Sequence, residues 1–299
     1  MKREHYVASV EERAAIERAY MEQNGIKALI NSLSGGIDSS ASALIAKQAA
    51  PQGAIGLLLP CSTEEELKGE RQKDIVDGQR VADFAGIPAV TINLSDLWQQ
   101  AVALYTAAAK EMAAKSGLPL DEKRLAWAIN NLKPTLRMMT AGFFADAFQG
   151  LMMGTDNAIE NFLGYFSIRG DGIADRQPIR DCTKAEVRAL AASRGLPEDL
   201  VNRTPTAGLW PGQTDEAELG FTYEEADRFF VWILEKHLQS PVMAPTMTVL
   251  PEAVEAILSD PTLPVSPESA RRIIRQNQRT AFKRKADDLE AVLAKRRLV

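Results

Sequence analysis

The stretch Leu29–Ser40, LINSLSGGIDSS, runs from an apolar segment straight into two glycines, an aspartate and a cluster of serines. A glycine-rich turn between a strand and a helix presents backbone N–H groups at the helix N-terminus, where the helix dipole favours an anion. Gly35 and Gly36 let the backbone approach closely, and Ser34, Ser39 and Ser40 add hydroxyl donors. Together these groups suit a phosphate cradle. The loop is not GxxxxGK[ST], because no lysine follows the glycines, and it is not GxGxxG. Asp38 instead sits inside the loop, where it would repel phosphate unless a magnesium ion lay between them.

SGGIDSS after a buried strand resembles the signature of the N-type ATP pyrophosphatases, which cleave ATP to AMP and pyrophosphate while activating an oxygen of the acceptor. Three later segments, GTDNAIENFLGYFSIRGD, PIRDCTKAEV and PTAGLWPGQTDEAELGFTYEEAD, together resemble the NAD synthetase family, with a weaker echo in FKRK from Phe282. The resemblance spans about Ile26 to Asp227. It implies a Rossmann-like parallel sheet with helices on both faces, of the adenine nucleotide alpha hydrolase type. It also implies ATP as co-substrate, Mg2+ as cofactor, and amidation of the nicotinate carboxylate of deamido-NAD by ammonia. About 33 residues precede the loop, which leaves no room for a glutaminase domain. The expectation is therefore the ammonia-dependent type, with a separate glutaminase as a conceivable partner.

Carried over residue by residue, the resemblance implies that Asp38 and Glu160 hold magnesium as hard oxygen ligands. Ser34, Gly35, Gly36, Ser39, Ser40, Thr155 and Thr206 would contact ATP, and Lys184 would neutralise the charge growing on departing pyrophosphate. Asn131, Thr135, Asp171, Asp175 and Lys283 would face the dinucleotide. Each also has a plainer explanation: Glu160 as a surface helix residue, Lys184 as a solvated first-turn lysine, Asp171 as a turn former. Cys182 lies near Lys184 in sequence but has no histidine nearby, which favours a buried small residue over a nucleophile. Trp210 and Met138 suit packing better than ligand contact.

The departures from the family pattern fall on the acceptor side. Thr135 stands where relatives usually carry arginine, Ile168 where many short ones carry lysine, Gly208 in place of aspartate and Phe282 in place of histidine. A threonine cannot replace the bidentate guanidinium. Arg137, Arg169 or Arg176 could compensate; otherwise the chain is a related amide ligase for a different carboxylate.

These residues need a scaffold. Ser9 to Gln23 has the spacing of an amphipathic helix, and KALINSL is a short buried strand followed by the helix former SSASALIAKQAA. AIGLLLP repeats the strand pattern, a helical stretch covers Glu66 to Phe84, and PAVTINL is a third strand. Nearly continuous apolar strands in β-α-β-α-β order predict a parallel sheet covered on both faces. Ser95 to Lys115 is helical, and a second long helix is expected to start at Asn131 as N-cap with Pro134 in its first turn. These two helices predict a homodimer interface. LMMGT is the fourth strand, DNAIENFLGYFSIRGDGIADRQP reads as irregular, and Thr183 to Arg194 and Tyr223 to His237 as helices. SPVMAPTMTVLP reads as an extended linker and Ser266 as the start of a last helical segment. The predicted division is one domain over residues 1–260 and a helical C-terminal extension over 261–299 packed on it.

Bulk properties narrow the class. A chain of 299 residues with 45% hydrophobic and 25% charged residues is an ordinary globular composition. No apolar run approaches the ~20 residues of a membrane span, and MKREHYVASVEER lacks a secretory core. Two cysteines exclude a disulfide framework and suit the cytoplasm; His5 and His237 lie too far apart for a zinc motif. The net charge of −5 speaks against nucleic acid, and with it against a tRNA-modifying enzyme built on the same loop. The exception is Arg271 to Arg297, whose basic clusters read as a solvated helix.

Overall fold

Four short apolar runs pair in parallel to make one sheet: β1 (Ala28–Ser32), β2 (Ala54–Leu58), β3 (Ala89–Thr91) and β4 (Gly150–Met153), in the order β3-β2-β1-β4. The computed structural model describes residues 3–63, 70–206, 208, 210, 212–285 and 288–296. Side chains alternate across the sheet, so each strand feeds two cores. Leu29, Ala54 and Leu58 pack under α1 (Arg3–Asn24), α2 (Ile37–Ala49) and α7 (Lys184–Ser193). Ala28, Ile30 and Leu57 pack on the other face with Leu136, Ala141 and Ala145 of α5 (Glu122–Ala147), beside α4 (Ser95–Ser116). The Rossmann-like expectation holds. From β1 the chain steps outwards to β2 and β3, then returns to place β4 on the opposite flank of β1. The carboxyl ends of β1 and β4 therefore flank a topological switch point, where parallel sheets open a crevice.

A second core lies beyond the sheet. It joins α6 (Ala158–Leu163), α10 (Tyr223–Gln239), α11 (Val254–Ser259), α12 (Pro267–Arg279) and α13 (Asp288–Arg296) around Phe162, Phe229 and Phe230. Two further helices complete the site's surroundings on the sheet side, α3 (Glu70–Ala85) and the short α8 (Glu198–Val201), and α9 (Asp215–Leu219) precedes α10. Of the stretch expected to be helical from Glu66, the first residues lie outside the described ones.

Three expectations are corrected. The second long helix is not capped by Asn131: its N-cap is Asp121, which accepts from the Arg124 N–H at 2.9 Å, and α5 begins at Glu122. Pro134 thus sits inside the helix. Its neighbours supply side-chain bonds to the backbone there, Asn131 Nδ2 to Trp127 O at 2.9 Å and Thr135 Oγ1 to Asn131 O at 2.9 Å. The buried stripe of Lys133, Leu136 and Met138 carries the helix through. Second, residues 241–250 are no linker: Met243, Met247 and Val249 are buried in the second core, and Met243 bridges Val249. Third, the polar stretch after β4 contains α6, begun by a capping box between Asn157 and Glu160. Among the described residues no helix is long and apolar enough to cross a membrane.

Asn277 ties the second core together. It is fully buried, donates to Phe162 O at 2.7 Å and Met247 O at 2.9 Å, and accepts from Val249 N at 2.8 Å. Asn277→Ala leaves these groups short of partners and should lower stability by about 2–3 kcal/mol, read as a shifted urea midpoint at unchanged slope. His237 Nδ1 accepts from the Val242 and Met243 N–H groups, both at 3.2 Å, and burial holds its pKa below 6.5. The unfolded chain takes the proton first, so this contribution is complete above pH 6.5 and is lost as pH falls. Thermal midpoints from about pH 8 to about pH 5 should show that loss. His237→Asn, which accepts without titrating, should lack it.

Candidate active site

Beyond β1 the chain turns through Gly35 at φ +72, and a Cβ there would stand 2.5 Å from Arg203 Nη1 and 2.6 Å from Asp77 Cβ. Glycine is required on both counts. The serines then fold the loop onto itself. Ser34 Oγ accepts from Gly36 N at 3.2 Å and lies 3.1 Å from Ser39 Oγ, while Ser39 and Ser40 donate to Gly36 O at 3.0 and 2.8 Å. This starts α2 at the crevice and leaves Asp38 in its first turn.

Asp38 meets Glu160 around one ammonium. Lys184 Nζ lies 2.6 Å from Asp38 Oδ2 and 2.9 Å from Glu160 Oε1, with its side chain 2% exposed. Asn157 takes the opposite oxygens: its Nδ2 donates to Asp38 Oδ1 at 2.9 Å and its backbone N to Glu160 Oε2 at 3.1 Å. The Tyr223 ring faces the ammonium at 4.5 Å, and its hydroxyl reaches Glu160 Oε1 at 3.2 Å and Asp215 Oδ2 at 3.0 Å. Burial disfavours the Lys184 charge, but the two carboxylates outweigh it and hold the ammonium above its ordinary range. Burial also pushes Glu160 up to about 7, against the pull of Lys184. A lysine in a helix first turn opposes the dipole. Asp227 offsets this by accepting from Lys184 N at 3.1 Å and Ala185 N at 2.8 Å, and its own buried carboxyl is pushed up to about 6.

Two adjoining cavities open here. One, of about 260 Å³, is lined by Gly36, Asp38, Glu160, Lys184 and Thr206. The other, of about 670 Å³, is lined by Asn131, Trp127, Phe282 and Lys283. Ser34, Ser39, Arg137, Thr155, Tyr165 and Asp171 line both. The structure thus brings most of the expected residues to the walls of these two cavities. Four stand apart from both cavities. Gly35 packs behind the loop and Ser40 is buried beneath it. Thr135 spends its hydroxyl on the helix backbone, and Asp175 Oδ2 accepts from Met152 N at 2.8 Å at the end of β4.

Sequence reasoning missed Asn157, Tyr223, Asp227, Asp156 and Arg203. The Asn-x-x-Glu spacing of a capping box was a usable signal for Asn157; the others depend on tertiary contact. Asp156 Oδ2 is buried without a hydrogen-bond partner among the described residues. Burial, then the nearby Asp171 and Glu160 charges, hold its carboxyl well above the carboxylate range. Burial likewise raises Asp171, while Lys283, held below its ordinary value by burial, sits close enough to oppose that.

Among the described residues no group of three or more His, Cys, Asp and Glu side chains converges as a metal cage. Magnesium does not need one, because it is commonly held by one or two carboxylates together with substrate phosphates. Asp38 and Glu160 already share one cation, the Lys184 ammonium, and both are hard oxygen donors. The residues present fit the ion.

The profile of the NAD synthase family matches residues 9–287. An NH(3)-dependent NAD(+) synthetase of Carboxydothermus hydrogenoformans is 36% identical over 203 residues, 68% of this chain and 76% of that protein. One of Alkaliphilus metalliredigens is 38% identical over 221 residues, 74% and 84% of the two chains. Among solved structures, an NMN synthetase from Francisella tularensis superposes with a TM-score of 0.70 at 24% identity, covering 95% of this chain and 97% of that one, a likeness of fold. An NAD+ synthetase from Burkholderia pseudomallei superposes with a TM-score of 0.63 at 25% identity, covering 95% and 90%. A profile matched over nearly the whole length, with relatives this similar over two thirds of it, shows that the chain belongs to the NAD synthase family.

Proposed function

We propose that this protein amidates the nicotinate carboxylate of deamido-NAD with ammonia, consuming ATP and releasing AMP and pyrophosphate. The observation that carries the reading is the Lys184 ammonium held between Asp38 and Glu160 in the wall of the smaller cavity, which shares Ser34, Ser39 and Thr155 with the larger one. ATP would take the smaller cavity, its phosphates against the loop amides with Thr155 and Thr206 beside them. The acceptor would take the larger, between Asn131, Asp171 and Lys283. An acceptor carboxylate oxygen then attacks the α-phosphorus, and pyrophosphate leaves. Ammonia attacks the activated carbonyl carbon, AMP leaves and a proton is released. Lys184 stabilises charge on the departing phosphates, and the loop fixes the in-line geometry. Magnesium, when bound by Asp38 and Glu160, supplies further neutralisation of phosphate charge. No protein nucleophile is needed. The ammonia comes from solution or from a separate glutaminase, in the cytoplasm. Residues 1–260 would carry the nucleotide-binding side chains, and the extension over 261–299 would pack on them through the second core and supply Lys283 to the larger cavity.

A second reading, an amide ligase for another carboxylate, is favoured by one observation. Thr135, where the family resemblance leads one to expect arginine, lies outside both cavities with its hydroxyl bonded to Asn131 O. Offering ATP, ammonia and deamido-NAD to the purified protein should yield NAD, AMP and pyrophosphate in equal amounts; amide formation on a different acid alone would select the second reading. Lys184→Met should lower kcat about 100- to 1,000-fold, followed as AMP release.

A homodimer through α4 and α5 belongs to the same proposal. Leu104 and Met112 on α4, with Trp127 and Phe143 on α5, are each at least 60% exposed. So much exposed apolar surface on two adjacent helices favours a protein partner. The protein should sediment at about twice the monomer mass, and Leu104→Glu with Phe143→Glu at the monomer mass. A monomeric wild type would reject the dimer.

A further inference from the structure

We propose that Arg203 is a positioning residue that locks the phosphate loop to the opposite wall of the nucleotide cavity. The loop has no lysine of its own to brace it, and its turn relies on Gly35 at φ +72. The face of that turn where a side chain would stand is filled by Arg203 Nη1, Asp77 Cβ and Gly78 N. Gly78 is equally constrained, since a Cβ there would stand 2.7 Å from Leu33 O. The helix α3 therefore lies flat against the loop, and the guanidinium closes the seam.

Arg203 Nη1 donates to Ser34 O at 3.2 Å and lies 3.3 Å from Asp77 Oδ2, while Nη2 pairs with Asp74. The side chain is 13% exposed and that of Asp77 is 5% exposed. Asp77 is shared with Arg80, which also reaches both oxygens of Asp199 on α8 at 2.7 and 3.0 Å. Three separate pieces of chain, the loop, α3 and the segment after α8, thus meet at one guanidinium. Arg203 also begins the strap whose Thr204, Pro205 and Thr206 line the same cavity as the loop. One side chain ties the cavity's two walls.

Its charge is engaged by two carboxylates, so Arg203 acts through the loop. Removing it frees the Ser34 peptide and withdraws the guanidinium that Asp74 and Asp77 share, leaving Asp77 to Arg80 alone among the pairs described above. Lysine keeps the charge but lacks the fork that spans all three acceptors.

The inference rests on the nucleotide half of the proposed function, and the test separates the two. Calorimetric titration with magnesium-ATP should show binding by the wild type and about 10- to 100-fold weaker binding by Arg203→Ala. Arg203→Lys should fall between. In turnover the KM for ATP should rise while kcat at saturating ATP and the KM for the acceptor stay within about threefold of wild type. Wild-type affinity in Arg203→Ala overturns the inference alone; so does wild-type affinity in Arg203→Lys, which decides the matter should the alanine variant not fold. A wild-type protein that binds no magnesium-ATP overturns the nucleotide reading and this inference with it.

Discussion

The buried ammonium of Lys184 between Asp38 and Glu160 is the interaction on which the rest of the site depends. Two carboxyl groups share one ammonium in a crevice largely screened from water, and that burial is what pushes Glu160 up to about 7. A single cation keeps both carboxyl groups close. A triphosphate bound beside them, as proposed, would add negative charge and favour a second cation there. Until then Lys184 keeps two carboxylates from repelling one another, and removing one partner of such a buried group commonly costs about 3–5 kcal/mol.

That triad also fixes which elements must meet. Asp38 comes from the helix after β1, Glu160 from the helix after β4, and Lys184 from α7, so the switch point of the sheet is where they converge. The same groups do local and tertiary work. Glu160 closes the capping box of α6 with one oxygen and meets Lys184 with the other. Thr183 caps α7 while Asp227, from α10, accepts the first two N–H groups of that helix. A change at Glu160 or Asp227 therefore acts on helix initiation and on the ammonium together. Folding and chemistry are not separable there.

How much of this was legible in the sequence follows from the range of each interaction. The strands, the loop and the helix carrying Lys184 are written in contiguous residues: apolar runs, glycines at a turn, Thr183 three residues before Glu186. The start of α5 was missed because Pro134 is a strong local stop signal, and only the buried stripe on either side of it overrides that signal. The stretch from Ser240 to Leu250 looks like a linker because its prolines interrupt any period; what orders it is the second core, supplied by residues before and after it. Lys184 could be singled out by motif, but its near-complete burial could not, because the carboxylates around it lie 24 and 146 positions away. Arg203 was invisible for the same reason, its carbonyl partner lying 169 positions off.

The departures on the acceptor side can now be weighed physically. Thr135 points its hydroxyl into its own helix, so the loss of a guanidinium at that position removes a charge without putting a new polar group into the cavity. Arg176 does not replace it, being paired with Glu17 and stacked on Tyr20. Arg137 does line both cavities, with its Nε donating to Leu59 O at 3.1 Å, and Arg124, Arg279 and Lys283 line the larger one. Phe282, 76% exposed on the turn that Lys283 anchors to the Gly164 and Phe166 carbonyls, adds an aromatic face to the larger cavity. The cavity combines a positive lining with a flat apolar surface. A nucleotide, which carries phosphate and stacking rings together, remains matched to that lining better than a small aliphatic acid, which would leave the cations without partners.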